Sequence, residues 1–184
     1  MKKYFFVFIL LAAIFIQKNL VAQASFLKGF VVLPENDTLF GEIKTNPKRP
    51  AENFKKAAYR KKEGNEIKSY NPTKLKMYLV GSSLFVSKIL NNEVVFMHLI
   101  SGGKLALYEF KEEVPVMNDV KIETDYYMQR GNGELVRIKP NKFKKQVAEM
   151  FTEKDEVVLT FPGDDLDMPK IMEWFKLFNG SLAE

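Results

Sequence analysis

Eight basic side chains crowd one short segment: Lys44, Lys48, Arg49, Lys55, Lys56, Arg60, Lys61 and Lys62, against a single acid, Glu52. Interleaved with Phe54 and Tyr59, such a run can grip the phosphates of lipid headgroups or the carboxylates of an acidic glycan. The plainer account, which the composition favours, is a solvated edge hairpin whose lysines keep it from pairing with other chains.

Other chemistry is thinly supplied. His98 is the only histidine and stands in the most apolar stretch, Val94-Val95-Phe96-Met97-His98-Leu99-Ile100. Metal sites and acid–base relays need matching partners, and the chain has neither a second histidine nor any cysteine. A Ser-His-Asp site would need a presented serine, yet no G-x-S-x-G elbow occurs. His98 therefore reads as a hydrogen-bonded core residue. Gly163-Asp164-Asp165-Leu166-Asp167 lacks the ligand spacing of a calcium loop and instead suits a helix start. Gly102-Gly103 and Gly131-Asn132-Gly133 are turn glycines without the lysine of a phosphate loop. Asn36-Asp37-Thr38 and Asn179-Gly180-Ser181 match N-x-[ST], which matters only in a cell that glycosylates such sites. No catalytic residue, metal or cofactor is expected.

The elements that must carry these residues are mostly strands. Leu27–Leu33 and Thr38–Lys44 flank Pro34-Glu35-Asn36-Asp37 and predict a first hairpin. Phe54–Arg60 and Glu66–Tyr70, around Glu63-Gly64-Asn65, predict a second, and Leu75–Val80 a further strand. Leu84–Leu90, Glu93–Ile100 and Lys104–Phe110 are joined by Asn91-Asn92 and Ser101-Gly102-Gly103, so three antiparallel strands should follow one another. The middle one is apolar on both faces and should lie centrally, covered from both sides. Pro115 and Asn118-Asp119 predict an exposed loop, and Ile122–Arg130 with Glu134–Ile138 another hairpin. After Pro140 the period changes. Phe143, Val147, Met150 and Phe151 share one helical face. Val157–Phe161 is a short strand candidate. Asp167 should cap a last helix with Pro169 in its first turn, Gly180 at its end, and a core stripe of Ile171, Trp174, Phe175 and Phe178.

A leader precedes all of this. Lys2 and Lys3 stand before thirteen largely apolar residues, Tyr4 to Ile16, and Ala22-Gln23-Ala24 supplies a signal-peptidase site. Thirteen residues fall short of the ~20 that a spanning helix requires. Residues 1–24 are thus expected to be a cleaved signal peptide and 25–184 a single strand-rich globular domain, secreted or periplasmic and not membrane-spanning. Without cysteine there is no lipid attachment and no disulfide, so the core alone holds the fold. The chain has 28 basic and 23 acidic side chains; removing the leader's three lysines leaves a net charge of +2. So small an excess argues against a nucleic-acid partner.

Phe30-Val31-Val32-Leu33 and Asn36-Asp37-Thr38-Leu39-Phe40-Gly41-Glu42-Ile43 together resemble a G-D-T-L-x-G-x-I opening. That opening is found in a family of secreted envelope proteins of Bacteroidetes-type bacteria. Asn46-Pro47, Tyr70-Asn71-Pro72, Gly103 to Tyr108, Phe143 to Phe151 and Trp174 to Asn179 follow in the family's order. Asn36 replaces the usual turn glycine. The resemblance implies location and architecture and brings no activity with it. Asp37-Thr38-Leu39 is also similar to the D-[ST]-aliphatic acceptor of O-glycosylation in those bacteria, although a turn closing into a strand explains it equally well.

The expected fold is α+β: an antiparallel meander forming a curved sheet or partly closed barrel, with two C-terminal helices packed on it. The expected function is that of a non-catalytic envelope protein binding another protein, a lipid headgroup or an acidic glycan. A carrier of a small apolar, lipid-like ligand comes second, and an enzyme third.

Overall fold

The computed structural model describes residues 25–117, 119–151, 160–163 and 165–180. Ten strands form one antiparallel sheet that does not close, ordered β10-β9-β8-β7-β6-β5-β1-β2-β3-β4. The strands are β1 Ser25–Val32, β2 Thr38–Thr45, β3 Ala57–Arg60, β4 Lys68–Tyr70, β5 Met77–Val80, β6 Ser83–Leu90, β7 Glu93–Ser101, β8 Leu105–Val116, β9 Asp119–Arg130 and β10 Val136–Arg137. A single helical turn, α1 (Glu52–Lys55), precedes β3, and α2 (Phe143–Met150) and α3 (Met168–Gly180) follow the sheet. The expected leader, residues 157–159 of the short strand candidate and Ser181 lie outside the described residues; Thr160 and Phe161 are not in a strand.

Turn chemistry sets the meander. Asn91 (φ 50°) and Asn92 (φ 67°) both adopt the left-handed region, which a two-residue hairpin between Leu90 and Glu93 demands. Asn36 does the same (φ 73°) between β1 and β2, so asparagine substitutes there for a glycine. Gly29 answers a different need. It packs against the Leu79 carbonyl of β5, where any Cβ would overlap the oxygen.

The predicted central strand is interior. β7 lies between β6 and β8, and Phe96 and Met97, pointing to opposite faces, are both fully buried. One face carries two cores. Leu105, Leu107 and Met128 receive Phe143 and Val147 of α2 and Ile171, Trp174, Phe175 and Phe178 of α3. Val31, Ile43, Tyr78, Phe85 and Phe96 receive Phe54 of α1. The opposite face gathers Met97, Tyr108 and Tyr127 with no helical residue among them. Cross-strand register aligns a row on this second face, Phe40–Phe30–Leu79–Leu84–Leu99–Tyr108–Tyr127, across seven strands.

Packing revises the sequence-based expectations at three places. Phe54 belongs to a helical turn rather than a strand. Its ring packs edge-on to Phe85 (5.3 Å) and Phe110 (5.8 Å), and Tyr78 Oη donates to the Asn53 carbonyl at 2.5 Å, so tertiary packing holds the turn. Pro115 sits inside β8, opposite Val120 of β9, rather than in a loop. Pairing between β7 and β8 is confined to His98–Ser101 and Leu107–Glu109, so β8 and β9 run on as a two-stranded arm whose outer edge tolerates a proline. The β9–β10 hairpin is also shorter than expected, since β10 contains only Val136 and Arg137.

Candidate functional site

β2, β3 and β4 end the sheet on one side, and the basic segment runs through and around them. Alternation along these strands decides which lysines face which hollow. On β3, Tyr59 pairs with Lys68 of β4, and Ala57 with Tyr70. Tyr59, Lys68 and Tyr70 therefore share a strand face, which Lys61, two residues after Tyr59, continues.

The eight basic residues do not act as one patch. Arg49 bonds Glu52 (3.0 Å) and Glu113 (3.3 Å), and Lys55 reaches the same Glu113 (3.3 Å), fastening this segment to the β8–β9 arm. The Lys55 hydrogen bond, with Arg49 beside it, holds the Glu113 carboxyl below its ordinary range. Arg60 bonds Glu42 at 2.7 Å and lies 3.7 Å over the Phe26 ring. These three cations are occupied within the fold. Lys44 and Lys56 border a hollow of about 210 Å³ that also includes Glu52, Ala58, Ile67 and Ser69. Lys48 and Lys62 project from exposed turns.

Lys61 takes part in a larger feature. A cleft of about 640 Å³, open to solvent, lies between β2, β3 and β4. Tyr59, Tyr70 and Leu39 supply its apolar surface and Phe40 borders it; Lys61, Lys68, Asn65, Glu66 and Thr38 supply its polar groups. Tyr59 fixes the floor. Its hydroxyl donates to the Phe40 carbonyl (3.0 Å), its ring fills the space over Gly41, and the Tyr70 ring meets it edge-on at 6.4 Å. Burial, then the neighbouring Tyr70, pushes the Tyr59 hydroxyl above its usual pKa, so it stays neutral. Among the described residues, neither Lys61 nor Lys68 has an acid partner. An ammonium pair beside aromatic surface can hold an anion without first breaking an internal ion pair.

The contiguous basic run ends at Lys62, yet the cleft is completed by Asn65, Glu66, Lys68 and Tyr70 beyond it. The signal that would find them is period-two alternation: Tyr59-x-Lys61 before the turn and Lys68-x-Tyr70 after it.

His98 lies elsewhere, on β7. Its side chain is 26% exposed, more open than a core position, because β8 diverges from β7 just beyond it. The ring stacks on Phe85 (5.2 Å), and Nδ1 lies 3.4 Å from Glu109 Oε2. Lys111 Nζ (3.1 Å) and the Tyr126 hydroxyl (3.5 Å) also reach Glu109. Burial pushes the Glu109 carboxyl up, but hydrogen bonds from His98 and Lys111 outweigh it and leave the group below its ordinary range. The arrangement satisfies a half-buried carboxylate inside the fold. Among the described residues no cluster of three or more His, Asp or Glu side chains is disposed to hold a metal, and no helix is long and apolar enough to cross a membrane.

Comparison of the chain with family models, curated proteins and solved structures gives no match.

Proposed function

We propose that this chain is a non-catalytic, secreted or periplasmic cell-envelope binding module that engages an anionic partner through the β2–β3–β4 edge of its sheet. The observation that carries this reading is the division of the basic segment. Arg49, Lys55 and Arg60 are tied to acids, whereas Lys61 and Lys68 stand without acid partners among the described residues, around an open, aromatic-floored cleft. Lysines serving only to protect an edge need no cleft between them. The leader at residues 1–24 and the resemblance to secreted envelope proteins support the location.

The test is co-sedimentation of the protein with envelopes of its own cells. Binding should weaken as salt rises from ~0.05 to ~0.5 M, which shortens the screening length. It should also weaken in a Lys44→Gln/Lys56→Gln/Lys61→Gln/Lys68→Gln variant. Binding indifferent to both changes overturns the reading.

The carrier reading has one observation of its own: the half-buried apolar row from Phe30 to Leu99, with Phe40 exposed at its end, on the sheet face that no described helix covers. Native mass spectrometry of protein from its own host separates the two. A retained lipid would favour the carrier, and a glycan or a bare chain the binding module.

A further inference from the structure

We propose that the cleft between β2, β3 and β4 binds an acidic oligosaccharide of the uronic-acid type. This rests on the anion-binding reading above and names its ligand class. The two ammonium groups, Lys61 and Lys68, flank the turn at Glu63–Asn65 and line one cleft with the half-buried Tyr70. A sugar carboxylate is the charge they fit, and a sugar ring presents the C–H face that aromatic surface receives. The volume, about 640 Å³, lies within the ~300–1,000 Å³ typical of ligand sites.

The acid in the cleft decides between anionic ligands. Glu66 lines the same space as the two lysines. A phosphate group itself carries only acceptor oxygens, and a glycerol headgroup adds just two hydroxyls, fewer donors for Glu66 and Asn65 than an acidic oligosaccharide brings. A uronic acid brings hydroxyl donors beside its carboxylate, so Glu66, together with Asn65, can accept hydrogen bonds while the lysines hold the charge. The combination of two cations, one anion and an amide beside a tyrosine suits a ligand that is both acidic and polyhydroxylated.

The experiment is titration of the full mature chain with three probes: tetragalacturonic acid, maltotetraose and phosphatidylglycerol vesicles. Tetragalacturonic acid is expected to bind about tenfold or more tightly than neutral maltotetraose, a difference of ~1.4 kcal/mol or more. A Lys61→Gln/Lys68→Gln variant should lose about tenfold or more of that affinity. Both side chains are exposed, so an unchanged melting temperature is expected to accompany the loss. Equal affinity for the two sugars overturns the inference, as does undiminished binding by the variant. Capture by vesicles without binding of tetragalacturonic acid overturns the sugar assignment and leaves the anion-binding reading standing. Failure of all three probes overturns the sugar assignment, and salt-sensitive co-sedimentation with envelopes then decides the anion-binding reading.

Discussion

Glu109 shows how a single carboxylate can be structural while standing beside the only histidine. Three donors, from His98, Lys111 and Tyr126, converge on its two oxygens. Because the folded protein holds this carboxyl below its ordinary range, its contribution is present above about pH 4.3, the usual glutamate value, and is lost as pH falls through the depressed folded value. Glu109→Gln should therefore lower stability at pH 7, and the deficit should shrink toward pH 3, as urea melts at the two pH values will show. A constant deficit would mean that packing, not charge, is what the substitution removes. His98→Gln is expected to cost only ~0.5–1.5 kcal/mol, the scale of one ordinary hydrogen bond. The long 3.4 Å contact and the partly open ring support so small a figure. Binding to envelopes should survive His98→Gln, since the cleft lined by Lys61 and Lys68 does not include His98.

At the scale of elements, α3 acts as a structural member. Asp167 caps it by accepting from the Lys170 backbone N–H (3.0 Å), and Trp174, stacked on Phe178 (4.7 Å), donates from Nε1 to the Thr160 carbonyl (2.8 Å). Its far end is pinned by Asn179, which donates to Ser101 Oγ (2.8 Å) and the Leu105 carbonyl (2.9 Å) beside the β7–β8 turn. Trp174→Ala should cost ~3–5 kcal/mol, a large part of the ~5–15 kcal/mol that holds such a domain. Truncation before Met168 should leave an aggregating, protease-sensitive product; retained cooperative unfolding would make α3 an accessory arm. Gly29→Ala is a second test, on the sheet. The added methyl meets the backbone oxygen of Leu79, which cannot turn aside, so β1 and β5 must separate and the melting temperature should fall sharply. These elements were legible in the sequence where local chemistry and packing agree: Asn91-Asn92 for a turn, Asp167 and Pro169 for a helix start. Phe54 and Pro115 were not, because distant partners placed them. Phe54 is held by Phe85 and Phe110 and its turn by the Tyr78 hydroxyl on the Asn53 carbonyl, and Pro115 is tolerated because β7 has turned away from β8. The cleft was half legible for the same reason: Lys61 falls in the basic run and Lys68 does not, and which cations are free depends on Glu42 and Glu113, remote in sequence.

Across the whole molecule, the sheet ends in two short strands, β10 of two residues and β4 of three, which offer little backbone for another chain to pair with. β1 begins at Ser25, where Ser25 pairs with Thr45, and it is an interior strand bonded on both sides, to β2 and to β5. Cleavage after Ala24 leaves every residue of β1 in place, whereas cleavage even a few residues later would remove Phe26, on which Arg60 rests, and the Ser25–Leu27 pairs with β2. N-terminal sequencing of the protein from an envelope fraction should begin at Ser25, and that form should unfold in a single cooperative transition. A chain recovered with Met1 intact in the membrane would overturn the export reading, and a start downstream of Phe26 would separate processing from the fold.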